Sequence, residues 1–326
     1  MTHPSECSSI ATPSVVTLGE SLALFTPSEW GYMHSGQRLR LGFGGAESNV
    51  AIALSRLGTP STWIGRVGSD SFGDMIIRQL RAENIVVHAV RDSAPTGLMF
   101  KEWAPGGALR VHYRRSASAG SRLCPADIDP ELIEQASLLH LTGITPALSA
   151  SASAAVQAAI SIARSADIPI SVDLNYRQAL WAPEDARPAL VNLLKEASIA
   201  FAGSDEAALA LDRDGDTPAE TLACELARLG PREVIIKRGS HGALAYHAGN
   251  VHHVDPFPVH AVDPVGAGDA FVGGYLSERI QGKAIDTCLA TAAQVGAYAC
   301  TVQGDWEGSA RRHDLVLAPT ADVVTR

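Results

Sequence analysis

One stretch of the chain, Asp263-Pro-Val-Gly-Ala-Gly-Asp-Ala-Phe271, combines the residue types that handle a phosphate group in transit. Gly266, Ala267 and Gly268 place three small residues where an extended segment turns into an apolar helix. The first N–H groups of a helix have no partner within it, and the helix dipole adds partial positive charge, so such a turn is an anion site. Asp269 follows the last glycine directly. A carboxylate there does not bind phosphate, but it can take the proton from a hydroxyl that attacks one. Gly-Ala-Gly-Asp alone reads equally as a glycine-rich cap whose acid serves the dipole. The leading Asp263 and the trailing Ala-Phe favour the chemical reading.

Gly44-Gly45 followed by Asn49 allows close approach of backbone to a ligand and offers an amide as both donor and acceptor, although a tight turn before a helix has the same look. Asp173-Leu-Asn-Tyr-Arg177 comes straight after a short apolar run, at the strand end where open α/β sheets bind ligands. Lys237-Arg-Gly-Ser-His-Gly242 is a glycine-rich turn after another such run, and a plain hairpin would also explain it. Arg115 and Arg177 could each pair with a carboxylate through two hydrogen bonds, although Arg115 alone reads more readily as a solvated surface charge. There is no Gly-x-x-x-x-Gly-Lys-Ser/Thr loop and no Gly-x-Gly-x-x-Gly after the first strand, so neither a P-loop nor a nicotinamide site is indicated.

Asp263–Phe271 resembles the C-terminal signature of the ribokinase-like (PfkB) carbohydrate kinases. Gly44-Gly-Ala-Glu-Ser-Asn-Val-Ala-Ile-Ala-Leu-Ser-Arg-Leu-Gly58 resembles their second signature. The order of motifs is most similar to the 2-keto-3-deoxygluconate kinases, over about Val15 to Asp314. The resemblance implies ATP-dependent phosphorylation of the terminal hydroxyl of a keto-deoxy sugar acid, with Asp269 as base and the Gly266, Ala267 and Gly268 amides on the γ-phosphoryl. It places Gly45, Asn49, Tyr113, Arg115, Arg177, Asp269 and Asp305 on the sugar acid, Tyr113 and Arg115 meeting its carboxylate. The nucleotide side falls to Asn175, Arg177, Gly203, Lys237, Gly239, Gly242, Gly266 and Gly268. Glu206 would organise Mg²⁺ through water; as a lone residue it is equally a solvated acid opening a helix, just as Asp305 alone is a turn residue. A monovalent cation is left open. Three positions depart from the pattern: Gly203 replaces an Asn, Met99 a Tyr, and Ala293 a helix Asn facing adenine. They leave two rivals standing, a fructokinase-like kinase of a neutral sugar and a non-catalytic sensing relative.

To position these residues the chain needs strand ends and helix starts. Val15–Gly19, Leu22–Phe25, Arg38–Phe43 and Trp63–Val67 read as strands, Ser48–Leu57 and Asp74–Glu83 as helices. Thr96–Trp103 and Arg110–Arg114 read as a hairpin turning at Ala104-Pro-Gly-Gly. Beyond residue 116, apolar runs at Leu138–Thr142, Ile170–Asp173, Ile199–Ala202 and Val234–Lys237 alternate with helical stretches at Ser149–Ala166, Pro188–Ala197 and Pro218–Leu229. That rhythm predicts a doubly wound, mainly parallel sheet flanked by helices. The expected organisation is an α/β domain of 15–20, 46–93 and 116–316, a small β-lid of 21–45 and 94–115, and a tail of 1–14. By the resemblance, the lid pairs subunits into a homo-oligomer.

The 326 residues carry a net charge of −9, which argues against a nucleic-acid partner but not against a local cationic pocket. Cys7, Cys124, Cys224, Cys288 and Cys300 are scattered, without a Cys-x-x-Cys or Cys/His cluster, so neither a disulfide framework nor zinc is indicated; the last three are expected as buried filler. Met1–Ser14 lacks a signal pattern, and serines with Arg164 interrupt the longest apolar region, Ala147–Ala166. The expected setting is the cytoplasm, with no membrane partner.

Overall fold

The computed structural model describes residues 13–29, 31–103 and 109–316. Its strands are β1 (Val15–Leu18), β2 (Leu22–Pro27), β3 (Leu39–Gly44), β4 (Ser61–Gly68), β5 (Val86–Asp92), β6 (Leu98–Trp103) and β7 (Leu109–Arg114). They continue with β8 (Leu138–Thr142), β9 (Ile170–Asp173), β10 (Ile199–Gly203), β11 (Glu233–Lys237), β12 (Ala243–His247) and β13 (Asn250–Val254). The helices are α1 (Ala46–Arg56), α2 (Ser71–Ala82), α3 (Pro130–Glu134), α4 (Ile144–Leu148) and α5 (Ala150–Ser165). After them come α6 (Pro183–Glu196), α7 (Ser204–Leu211), α8 (Ala219–Ala227), α9 (Ala267–Arg279) and α10 (Ile285–Ala299).

Among the described residues, nine strands form one sheet in the order β13-β12-β11-β10-β9-β8-β1-β4-β5. It is parallel except for the antiparallel β11/β12 and β12/β13 pairs. The central strands are apolar residue after residue because helices cover both faces. Successive residues serve opposite sides: Val16, Leu139, Leu141, Ala200, Ala202, Val234 and Ile236 pack among α5, α6, α7 and α8. Val15, Leu138, Ile199, Phe201 and Ile235 pack among α1, α9 and α10. This is the α/β architecture that the alternation after residue 116 predicts.

The other four strands form a separate sheet, β3-β2-β6-β7. Antiparallel β2/β3 and β6/β7 pairs are joined by a parallel β2/β6 contact, Ala23 opposite Leu98. The turn expected at Ala104-Pro-Gly-Gly and most of the expected N-terminal tail lie outside the described residues.

Several expectations need correction. β5 forms the edge of the large sheet with only its last residue buried, so its residues carry little apolar pattern. The antiparallel pair β12 and β13 also went unanticipated; Val251 and alternate neighbours on β13 face water. Helix α6 begins at Pro183 and not at Pro188, where a start is expected: Pro183, in the first turn, gives up an N–H that has no helical partner anyway, and Pro188 lies inside the helix. Helix α2 begins three residues early because the Asp70 side chain accepts from Gly73 N at 2.8 Å. Of the three cysteines expected to be buried, only Cys288 is; Cys224 and Cys300 are half-buried. In β3, Leu39 and Leu41 are exposed while Phe43 is buried, so its alternation does not mark one core-facing stripe.

Candidate active site

Strands β9, β10 and β11 are adjacent and parallel, so their carboxyl ends bring Asp173, Gly203 and Lys237 to one edge. Helix α9 starts across from them. Gly266 caps it at φ 81°, a left-handed conformation that glycine adopts without penalty, and no side chain occupies the cap. In the first turn Ala267 N donates to the Pro264 carbonyl at 3.3 Å, against the expectation that it is an anion donor, and Ala270 N to the Gly266 carbonyl at 2.9 Å; the Gly268 and Asp269 amides are left to a ligand. A Cβ at Gly266 would overlap the carbonyl oxygen of Asp305, so the turn is seated directly on the 303–307 segment.

Asp269 lies in that first turn and is 8% exposed. Asn49 Nδ2, from α1, donates to its Oδ2 at 2.8 Å, and Asn175 Nδ2, beyond β9, reaches its Oδ1 at 3.5 Å. Burial lifts the Asp269 carboxyl from its ordinary value to about 7; the Asn49 hydrogen bond and the Arg177 and Lys237 cations oppose the rise, and Asp173 adds to it. Lys237 Nζ donates to Asp173 Oδ2 at 2.6 Å. Desolvation works to lower the Lys237 pKa, but the Asp173 and Glu206 carboxylates outweigh it and hold the ammonium above its ordinary range.

Of the cavities at this sheet edge, three adjoin one another in a row. An apolar one of about 680 Å³, walled by Gly239, Gly242, Phe257, Phe271 and Ala293, suits a nucleoside. It shares Lys237, Pro264 and Gly268 with a cavity of about 420 Å³ that holds Asp269, Gly266, Asn175 and Glu206. That one in turn shares Val111, Tyr113 and Arg177 with a third of about 720 Å³, which Arg115 also lines. Gly239 and Gly242 both have positive φ, and a Cβ on Gly242 would overlap the Val254 carbonyl, so these glycines are required by the turn itself.

The residues expected on the acceptor side fall into two groups. Asn49, Asn175, Arg177, Tyr113 and Asp269 converge on the two polar cavities. Gly45 caps α1, where a Cβ would overlap the Glu20 carbonyl, so the chain passes too closely for any side chain. Arg115 is held: its Nε and Nη2 reach Glu20 Oε2 at 2.7 and 2.6 Å, Ser118 Oγ donates to the other Glu20 oxygen, and the guanidinium lies 5.4 Å from the Tyr113 ring centroid. Arg177 makes no ion pair with any described residue. Asp305 is buried, its carboxyl raised above its ordinary value by that burial and turned to Lys101 and Gly44 rather than into the 420 Å³ cavity.

On the nucleotide side, Glu206 Oε2 accepts from Gly203 N at 2.7 Å, capping the start of α7, and its Oε1 accepts from Tyr176 N at 3.0 Å. Burial raises its carboxyl above the usual range. Ala293 does line the nucleoside-sized cavity, presenting only a methyl group there. Met99 is buried against Leu22 and Leu24, with Val111 and Tyr113 against the same cluster, and so serves the small sheet's core.

Comparison with known proteins decides the class of chemistry. The pfkB family of carbohydrate kinases matches residues 12–310. The chain belongs to that family. It is similar to a 2-dehydro-3-deoxygalactonokinase of Haloferax volcanii, 36% identical over 90% of this chain and 93% of the relative. A 2-dehydro-3-deoxygluconokinase of Bacillus subtilis is 34% identical over 92% and 93%. Among solved structures, a putative ribokinase II from E. coli in complex with ATP and Mg²⁺ superposes with a TM-score of 0.85 at 28% identity, covering 93% of this chain and 98% of that one. This pfkB kinase is thus an ATP-using sugar kinase, and no helix among its described residues is long and apolar enough to cross a membrane.

Three side chains that sequence reasoning passed over support the pfkB kinase site. Glu20 holds Arg115, and Glu47 is fully buried with Oε1 accepting from Thr142 and Thr145. Lys101, fully buried, touches Asp263, Gly304 and Asp305. A signal for Lys101 existed: the period of two along β6 puts it on the face of Met99 and Trp103, where a charge demands partners.

Proposed function

We propose that this kinase transfers the γ-phosphoryl of ATP to the terminal hydroxyl of a keto-deoxy sugar acid, 2-keto-3-deoxygluconate at O6 being the leading candidate. The observation that carries the reading is Arg177, a guanidinium with no described ion-pair partner in the wall shared by the reaction cavity and the outer polar cavity. An anionic acceptor gives it a partner; a neutral sugar leaves it with the nucleotide phosphates alone. The Haloferax and Bacillus relatives carry names of keto-deoxy sugar-acid kinases, in agreement with an acidic acceptor.

In this reading the sugar lies in the outer cavity with its terminal hydroxyl at Asp269 and its carboxylate toward Arg177, Arg115 and Tyr113. Asp269 takes the hydroxyl proton as the oxygen forms its bond to the γ-phosphorus, and the bond to the bridging oxygen of ADP breaks. The Gly266 and Gly268 amides hold the charge on the moving phosphoryl. The four-stranded sheet serves as the lid over the acceptor, and its exposed Leu39 and Leu41 offer a face for pairing two copies.

The donor set fits a Mg²⁺ carried chiefly by phosphates and water. Glu206 reaches the cavity wall, yet both its oxygens already accept an amide, and no group of three His, Cys, Asp or Glu among the described residues could hold a metal. Glu206 and the Gly203 strand end would face the hydrated ion, which supplies charge neutralisation on the β- and γ-phosphates when bound.

A panel of acidic and neutral sugars with ATP, read as phosphorylated product, tests the substrate. Arg177→Ala is expected to raise the KM for the sugar acid by roughly 10- to 100-fold, the scale of a lost charge-assisted hydrogen bond, and to change the KM for fructose little. Equal losses on both sugars, for Arg177→Ala and Arg115→Ala alike, would remove the carboxylate from the account. The pH profile provides a second check. Asp269 can accept a proton only when ionised, so kcat/KM is expected to rise tenfold per pH unit up to about 7 and then level off. A profile flat down to about pH 5 would rule out this carboxylate as the base.

A further inference from the structure

Lys101 sits in the middle of β6, opposite Val111 of β7, with its side chain wholly out of water. Its ammonium donates two hydrogen bonds and makes one further ion pair. Its Nζ donates to Asp263 Oδ2 at 2.8 Å and to the Gly304 carbonyl at 2.7 Å, and lies 3.1 Å from Asp305 Oδ1.

Each of those partners belongs to a segment the reaction uses. Asp263 begins the phosphate-handling turn: its Oδ1 accepts from Val265 N at 3.1 Å and its Oδ2 from Gly304 N at 3.2 Å. Asp305 has its carbonyl against Gly266, at the first position of the amide cradle, and its Oδ2 against Gly44 at the end of β3. One buried ammonium therefore joins three things: the small sheet, the loop leading into the cradle, and the 303–307 segment. Without it, two buried carboxylates would face each other with no counter-charge, and the segments would separate or one acid would take up a proton.

We propose that Lys101 is a positioning residue, whose ammonium sets the distance between the phosphate-holding turn and Asp305 and so ties the lid's seat to the geometry of transfer. It touches neither sugar nor nucleotide and acts through Asp263 and Asp305. The inference rests on the proposed reading insofar as the turn at Gly266 and Asp269 carries the transfer.

The test begins with the wild-type chain over the sugar panel. Failure to prefer the acid sinks the proposed substrate, while the Lys101 comparisons proceed on whichever sugar is turned over best. Lys101→Met keeps length and removes charge. It is expected to lower kcat/KM for that sugar on the order of 100-fold, the cost of an ångström-scale misplacement, while a non-hydrolysable ATP analogue still binds. Lys101→Arg keeps the charge and its pairing but changes the spacing, and is expected to fold and still lose on the order of tenfold. Lys101→Ala leaves room for an external cation, so its activity should rise saturably with methylammonium while the wild type does not respond. Combining Lys101→Met with Asp305→Asn should cost far less than the product of the two single losses. Wild-type kcat/KM in Lys101→Arg, or multiplicative losses in the double variant, would overturn the proposal, as would a melting-temperature drop in Lys101→Met with unchanged activity per folded molecule.

Discussion

Asp269→Asn should lower turnover by about two to four decades, the range for a positioned proton acceptor, with the KM for ATP nearly unchanged. The carboxamide has the same shape and can still accept from Asn49 Nδ2, which holds the carboxylate at 2.8 Å, so the cradle should survive the change. What disappears is the ability to take up a proton, and no other described carboxylate stands ready. Asp173 is bound to Lys237, and Glu206 accepts two amides. Single-turnover phosphoryl transfer with saturating ATP measures the effect directly; turnover within tenfold of wild type would leave Asp269 without a chemical role.

The same substitution makes a stability prediction of opposite sign. The Asp269 pKa is raised in the folded chain, from 3.8 to about 7, so the folded state prefers the protonated acid. Below 3.8 ionisation costs nothing; across the window up to about 7 the folded chain progressively loses stability as the charge is forced into a buried site, and above it the cost is complete. Asp269→Asn removes that cost. Its melting temperature should exceed wild type at about pH 8, with an advantage that shrinks towards about pH 4. A variant that melts lower than wild type at the higher pH would mean the carboxylate is better solvated than its burial implies.

Gly266→Ala is expected to be nearly as damaging to catalysis, on the order of 10²- to 10³-fold, the scale of losing an aligned anion-hole donor. Two effects combine. At φ 81° a side chain is strained by about 1 kcal/mol or more. The added methyl would also overlap the Asp305 carbonyl, so the cradle and the 303–307 segment must part. Gly58→Ala separates the two causes: Gly58 has φ 85° and no atom within 4 Å of the place a Cβ would take, so it carries the strain alone. Gly58→Ala should therefore lose some stability and keep its turnover, while Gly266→Ala loses both. Comparable activity in the two folded variants would show that contact between the turn and Asp305 does not govern the amides.

Much of the framework was legible without coordinates because it follows from local rules. The apolar runs that became β8, β9, β10 and β11 are buried on both faces, which forces continuous hydrophobicity. Gly266, Ala267, Gly268 and Asp269 are adjacent in sequence, so a helix start places their chemistry together with no help from elsewhere. Edges and exposed pairs were the failures: β5, β12 and β13 lack that two-sided burial, and their hydrogen bonds come from partners the local pattern does not name. The engagement of Glu206 was half hidden: its cap on Gly203 N is local, but its second oxygen is taken by Tyr176 N, thirty residues away.

The sequence by itself determined the class of fold and the phosphate-handling turn, because backbone conformation and burial act over a few neighbouring residues. Only the tertiary structure decided what surrounds that turn. Asn49 reaches Asp269 across 220 residues, Glu20 takes hold of Arg115 across 95, and Lys101 meets Asp263 across 162. Charges removed from water must find partners wherever the chain brings them, and the partner's identity is set by packing between distant elements rather than by any local spacing.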